Sequence, residues 1–457
     1  MEKYKILILI NILIRIPLLF LTPISIFGDG LVTSIFHSYQ LINFNFMFPD
    51  PPLFFLIEGL LTFIFSGRVL EFFWKVPAFL FFIGFLFLLP QVYRILKLNE
   101  NEKLLLTALL IFPTSSLLYG SSIMIEMLVL FFAFAIFILI EKTEMMGKTN
   151  YFIMAILTSL MLYSKQTGLF ILMGFFIYIF FKKIPIKNKF LFILSLTLGF
   201  VTYLGWSLKN YVLNIAPVAT VKEAIFIPTI SFFTSDLLTN IITSAKETYL
   251  RFWFIPLLGQ VNFKGIFSVA YLGYYILFII LTLFLSFAII FGIIKFGRRN
   301  FSYILLILPL CSFAVLWGFF VGVYGDIGRY SFTFHLFIYF YAVKFIENIK
   351  NIKIKRLIYV LIVLLVILFV MTAYATAFRM INKDSQIRQI ANIIKNDNFT
   401  VIPDNSFARA TLGYYSGKKI QEVIEIDKEI KIPKNMIFKS QDYQIFLKNE
   451  TYYISES

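Results

Sequence analysis

The chain has 457 residues, 60% of them hydrophobic and 14% charged, with a mean hydropathy of +0.85. Soluble globular proteins are about half apolar and a quarter charged, so this balance excludes a soluble class and leaves a membrane protein with room for about a dozen spans. One cysteine, Cys311, and two histidines exclude an intramolecular disulfide, a thiolate metal centre and a histidine-rich one, while the net charge of +16 lies in short loops between apolar runs, a topology signal and not a nucleic-acid stripe.

The opening "MEKYKILILINILIRIPLLFLTPISIF" has the basic end and apolar run of a signal peptide. The run is too long and no small-x-small cleavage site follows, so it reads as a retained anchor over about 6–27. Further spans are expected at about 74–93, 104–119, 122–140, 151–164, 167–181, 190–208, 266–294, 301–322, 330–343 and 357–378. Neither an internal repeat nor a low-complexity segment is visible. The run "PPLFFLIEGLLTFIF" (51–65) is short, begins with two prolines and carries Glu58. If it lies flat at the interface, the loops on the inner side hold 19 Lys and Arg residues, and the short outer loops hold only Lys165 and Arg329. If it spanned, that bias would invert for the rest of the chain, so an interfacial helix is expected.

The expected fold is therefore mainly α: a polytopic transmembrane helical bundle of about eleven spans (about 10 to 13), N-terminus cytoplasmic, in a cell membrane. The transmembrane domain is expected over 1–379, with outer segments at 28–73 and 209–265, the latter carrying "RFWF" (251–254) as an interfacial anchor. From Ile381 the apolar content falls. "SQIRQIANIIKND" has helical period, "FTVIP" and "YQIFL" read as short strands, and a small extracytoplasmic α/β domain is expected over 380–457.

Within this topology four charges fall at the outer ends of spans: Asp29 in "FGDGLV", Glu126 in "YGSSIMIEML", Lys165 in "YSKQTG" and Arg329 in "GDIGRYSF". Each is costly against hydrocarbon and needs a polar cavity or a partner, and together they could line one cavity. Bland readings stand beside this one. Asp29 suits a turn between two glycines. Glu126 suits an interhelical hydrogen bond. Lys165 and Arg329 suit anchoring at headgroups.

Together these segments resemble the polyprenyl-phosphate-sugar-dependent membrane glycosyltransferases of the C-type fold, the dolichyl-phosphate-mannose protein mannosyltransferases and lipid A aminoarabinose transferases among them. The resemblance rests on Asp29 in "GDG", on "FPDPPLF" with Asp50, Pro51, Pro52 and Leu53, and on Lys75 in "FFWKVPAFLF". It rests further on "FPTSSLLYGSSIMIEML" with Glu126, "SKQTG" with Lys165, "GRY" with Arg329 and Tyr330, and "LGYYSGKKI" at 412–420. The family's second acid after the first is absent, since Gly30 follows Asp29. Few ligands then remain for a divalent ion, and the site is read as needing no metal or other cofactor.

The resemblance implies transfer of a hexosyl or pentosyl group from a polyprenyl-phosphate donor to a hydroxyl of a protein, lipid or glycan. Asp29 would be the general base, with Glu126 orienting its surroundings, and a single base suggests inversion. Lys165 and Arg329 would stabilise the leaving phosphate, with Lys75 or Arg251 in reserve. Asp50, Pro52 and Tyr330 would flank the substrate. The alternatives are a transporter or flippase of lipid-linked sugars, or a ligase or polymerase that moves whole chains. Charges gathered at one face without an internal repeat favour a transferase.

Overall fold

The computed structural model describes residues 2–23, 51–142, 147–165, 167–212, 269–298, 300–309, 312, 335–395, 400–403, 412, 415–416, 436–439, 443–448 and 451–456. Nearly all of this is α-helix, and one four-stranded sheet lies near the C-terminus.

The chain begins with α1 (Lys3–Leu21), which overlaps the run expected over about 6–27, of which residues 24–27 lie outside the described residues. Two shorter helices, α2 (Leu53–Ile64) and α3 (Gly67–Phe73), precede α4 (Val76–Ile95), whose first turn takes Pro77 without loss because the N–H there is unpaired anyway. The start of α5 (Glu100–Ile111) is set by Asn99 and Glu102, whose side chains each bond the other's backbone N–H at 2.9 Å.

The single span expected at 104–119 is two helices, α5 and α6 (Thr114–Tyr119). Pro113 has no N–H to continue the ladder, and its ψ of 144° turns the chain out of the helix. Then follow α7 (Glu126–Glu141), α8 (Lys148–Ser164), α9 (Gly168–Phe181), α10 (Ile186–Val212) and α11 (Val269–Phe296). After a helical stretch at 301–309 come α12 (His335–Glu347) and α13 (Ile352–Lys395).

Aromatic rings fill the bundle centre. Phe337 of α12 lies 5.7 Å from Phe134 and 5.1 Å from Phe137 of α7, and 5.6 Å from Tyr303. Helices α11 and α12 approach closely at Gly292, where an added Cβ would meet the Tyr341 carbonyl oxygen at 2.1 Å. Small residues permit such contact between helices that lack a hydrophobic drive to associate in lipid. Large apolar side chains such as Leu13, Phe87, Ile294 and Met371 face outward, as lipid contact requires. Among the described residues, Lys3–Leu21, Gly67–Ile95, Ile186–Lys209 and Ile352–Lys395 are long and apolar enough to cross a membrane.

Ion pairs sort the bundle into two ends. At the end holding residue 3, Lys344 meets both carboxylate oxygens of Glu102 at 2.8 Å, Lys182 meets Glu141 at 2.6 Å and Lys355 meets Glu347 at 2.7 Å. These join the close of α12 to the start of α5, and the close of α9 to that of α7, so these helix ends lie together. Helix α13 has 44 residues. At about 1.5 Å per residue it is roughly 66 Å long, about twice a hydrocarbon core. Its polar last turns therefore extend past the apolar layer, and it runs unbroken through residue 380, where the composition changes.

The sheet has the order β1 (Thr400–Pro403), β4 (Thr451–Glu456), β3 (Tyr443–Lys448), β2 (Met436–Lys439). Strand β1 is parallel to β4 and the other pairs are antiparallel, with Ile445 opposite Ile454. The expected strands "FTVIP" and "YQIFL" are both present. Strand β4, within the closing "NETYYISES", is an addition: its aromatic and β-branched residues find partners on both sides.

Candidate functional site

The end of the bundle remote from residue 3 is built where α1 stops. Thr22 caps this turn: its Oγ1 lies 2.9 Å from the Leu18 carbonyl and 2.5 Å from the Ser121 carbonyl. Lys75, buried ahead of α4, donates to the Leu19 carbonyl and, at 2.8 Å, to the Thr22 carbonyl. The terminal carbonyls of α1 carry the negative end of the helix dipole, which compensates a buried ammonium without a carboxylate. Two of the three N–H donors of Lys75 are used in this way.

Beside Lys75 lies a cavity of about 630 Å³. Its polar lining includes Arg68, Glu71, Lys75, Asp384, Ser385 and Arg388, and its apolar lining includes Phe20, Val69, Phe72 and Ile381. Phe20 and Phe72 stack with ring centroids 4.8 Å apart, which joins α1 to α3 as one apolar wall. The two carboxylates of the cavity are engaged. Arg388 donates to Asp384 Oδ2 at 2.8 Å and to Glu71 Oε2 at 2.5 Å. Tyr415 donates to Asp384 Oδ1 at 2.6 Å and accepts from Arg388 at 2.8 Å. The guanidinium also lies 3.9 Å over the Tyr415 ring. Burial, followed by the neighbouring Asp384 charge, pushes the Tyr415 phenol up, so it stays a neutral donor. Among the described residues, Arg68 has no ion-pair partner and Lys75 has no carboxylate partner.

Glu126 and Lys165 form a direct ion pair between the start of α7 and the end of α8, with Glu126 buried. Thr22 bonds the turn at Ser121, five residues before Glu126, so this pair and the cavity share one end of the bundle. Pro52 stands just ahead of α2. Asp29, Asp50, Arg251, Arg329 and Tyr330 lie outside the described residues.

Several charged residues not singled out from sequence are central here. Arg15 is fully buried within α1, and each of its five N–H donors has an acceptor. Nε donates to Asn11 at 2.7 Å, Nη1 to the carbonyls of Ser116 at 2.6 Å and Leu117 at 3.2 Å, and Nη2 to the Ile111 carbonyl at 3.1 Å and Ser116 Oγ at 2.8 Å. Its Cζ also lies 3.8 Å over the Phe82 ring. The Ile111 carbonyl is freed where α5 ends before Pro113, and those of Ser116 and Leu117 lie at the close of α6, so Arg15 is a structural staple with no donor left for a ligand. A cation inside an apolar run was its sequence signal. Asp384 and Arg388 carried the four-residue spacing of a helical ion pair, whereas Arg68 and Glu71 carried no signal that sequence alone could rank.

No protein-family model matches this sequence, and no curated protein matches it. Among solved structures the chain is similar to a crystal structure of the Archaeoglobus fulgidus oligosaccharyltransferase, tethered through a disulfide bond to an acceptor peptide containing the NVT sequon. The match has 14% identity and a TM-score of 0.43, and it covers 96% of this chain and 61% of that one. This chain thus spans about three fifths of the length of that neighbour.

Proposed function

We propose that this chain is a membrane glycosyltransferase that moves a sugar from a polyprenyl-phosphate donor to an acceptor hydroxyl, with inversion. The observation that carries the reading is the cavity at the end of α1, where cations meet an apolar wall of Phe20 and Phe72 at the margin of an apolar bundle. A phosphate on a long apolar chain has the matching chemistry: an anionic head with a hydrocarbon stem beside it. Pro23 lines this cavity, and Asp29 follows six residues on in the sequence.

In the reaction, the Asp29 carboxylate takes the proton of the acceptor hydroxyl as its oxygen attacks the anomeric carbon. The bond from that carbon to the phosphate oxygen breaks, and the lipid phosphate leaves with the electron pair. Lys75 and Arg329 stabilise the growing charge, with Arg251 in reserve. Lys165, held in position by its ion pair with Glu126, adds its charge to this stabilisation. Asp50, Pro52 and Tyr330 flank the sugar and acceptor. Glycines on both sides of Asp29 keep bulk away from the sugar.

The test uses purified full-length protein and a radiolabelled lipid-phosphate sugar. Asp29→Asn should lower transfer by about 100-fold or more while donor binding persists, the range for losing a general base. A wild-type rate would remove Asp29 from that role.

A further inference from the structure

We infer that the basic close of α11 and the basic start of α13 hold the headgroup of an acidic phospholipid, a diacyl phosphodiester, whose acyl chain lies along exposed aromatic rings of α11. The site is at the end of the bundle holding residue 3, remote from the cavity described above, and does not depend on the reaction proposed there.

Two outward-facing apolar stripes of the bundle end in cations. On α11 the exposed residues Leu283, Phe287, Phe291 and Ile294 recur at helical spacing, and Lys295 and Arg298, both exposed, continue that stripe one turn on. On α13 the exposed residues Leu357, Val360 and Leu364 follow Lys353 and Arg356, which are exposed one turn earlier. Both basic ends abut the last turns of α12. Gly292 packs against the Tyr341 carbonyl, the Tyr341 hydroxyl donates to the Asn300 carbonyl at 2.8 Å, and Lys355 donates to the Glu347 carbonyl at 3.1 Å.

The nearby acids are each taken by a lysine of their own: Glu102 by Lys344 and Glu347 by Lys355. Among the described residues, Lys295, Arg298, Lys353 and Arg356 have no ion-pair partner. Four cations at one margin of the bundle are thus left for an anion from outside the chain.

Loop-charge bias asks only for cations beside an apolar run. It does not ask for rings stacked across two helices in front of them. Phe287 and Phe291 stack at 5.7 Å, and Phe291 continues onto Phe345 of α12 at 5.9 Å. Phe287 and Phe291 are 59% and 45% exposed, so this ladder presents apolar surface to the layer around the bundle. An aromatic ledge one turn from Lys295 matches an acyl chain below a phosphate, whereas a soluble anion would leave the ledge unused. Basic pockets between helices at a membrane face suit acidic headgroups. Arg298 offers a planar fork for two phosphate oxygens, and Lys295 a point charge.

The experiment titrates purified full-length protein in detergent with dioleoyl phosphatidylglycerol or dioleoyl phosphatidylcholine and counts bound lipids by native mass spectrometry. Phosphatidylglycerol should bind about tenfold more tightly. Lys295→Gln/Arg298→Gln should remove most of that preference, since each cation near an anionic headgroup is worth about fivefold. The charge-keeping swap Lys295→Arg/Arg298→Lys should retain it. Phe287→Ala/Phe291→Ala should weaken phosphatidylglycerol several-fold, on the order expected for lost apolar contact. Lys183→Gln/Lys187→Gln, two exposed cations elsewhere at the same end, should change neither lipid.

Equal affinity for the two lipids would overturn the site. So would an equal loss in Lys295→Gln/Arg298→Gln and Lys183→Gln/Lys187→Gln, which would leave only a diffuse surface charge. Displacement of the lipid by an equal concentration of glycerol 3-phosphate would make this a soluble-anion site. A dimer that dissociates in Lys295→Gln/Arg298→Gln would make the occupant a second copy of the chain. Either result overturns the lipid assignment.

Discussion

A Cβ on Gly120 would sit 2.2 Å from Nη1 of Arg15, closer than any two such atoms can approach. The glycine marks the space that the buried guanidinium occupies. Gly120→Ala should therefore destabilise the protein by about 1–3 kcal/mol, as overpacking does. Arg15→Lys should cost more, because an ammonium cannot reach all the acceptors and leaves buried carbonyls unpaired. Thermal unfolding of the detergent-solubilised protein measures both, and a wild-type melting temperature for Gly120→Ala would contradict this packing.

Glu126 and Lys165 should behave as one unit. Lys165→Met strands a buried carboxylate, for which a loss of about 3–5 kcal/mol is typical. Adding Glu126→Gln removes the stranded charge, so the double variant should melt closer to wild type than Lys165→Met does. Equal melting temperatures for the single and double variants would mean that the two side chains are not energetically coupled.

The Tyr415 hydroxyl is the bond by which the segment after α13 holds Asp384 and Arg388. Tyr415→Phe keeps the ring over the guanidinium and removes both hydrogen bonds. About 1–3 kcal/mol of local stability should go with them, because the buried carboxylate oxygen loses its donor. Hydrogen exchange should speed up around 384–388 and 412–416 and stay unchanged in α7. A uniform change over the whole chain would point to global destabilisation instead.

Ion pairs that join helix ends give a topology that labelling can read. In a Cys311→Ser background, a cysteine replacing Lys187 or Lys353 should react with a membrane-impermeant maleimide only after the membrane is opened. One replacing Arg68 should react in intact cells. Both falling on the same side would break the alternation of helices, and exchanged sides would reverse the orientation expected from the loop charges.

Much of the bundle was legible in one dimension. Helices over 151–164, 167–181 and 357–378 needed only the apolar runs in which they lie, and of these the last belongs to a helix long and apolar enough to cross a membrane. The break at Pro113 was not legible by itself, because Pro17 and Pro90 stand inside unbroken helices of the same chain, and the apolar run continued through Pro113 and concealed the turn. Strand β4 pairs locally with β3, two residues before it, and its parallel pairing with β1, about fifty residues earlier, was the part that only the tertiary structure decided.

The sequence by itself determined a membrane-helical character, and that Asp29, Glu126, Lys165 and Arg329 are costly enough to need a reason. Only the tertiary structure decided what those costs are set against. It gave Glu126 to Lys165, gave Lys75 to the last carbonyls of α1, and drew Glu71 to Arg388 across 317 positions of chain. The transfer preference of an apolar run for lipid is roughly additive along a sequence and can be summed from it. Pairing energy depends on which helices become neighbours, and so it is fixed only when the bundle closes.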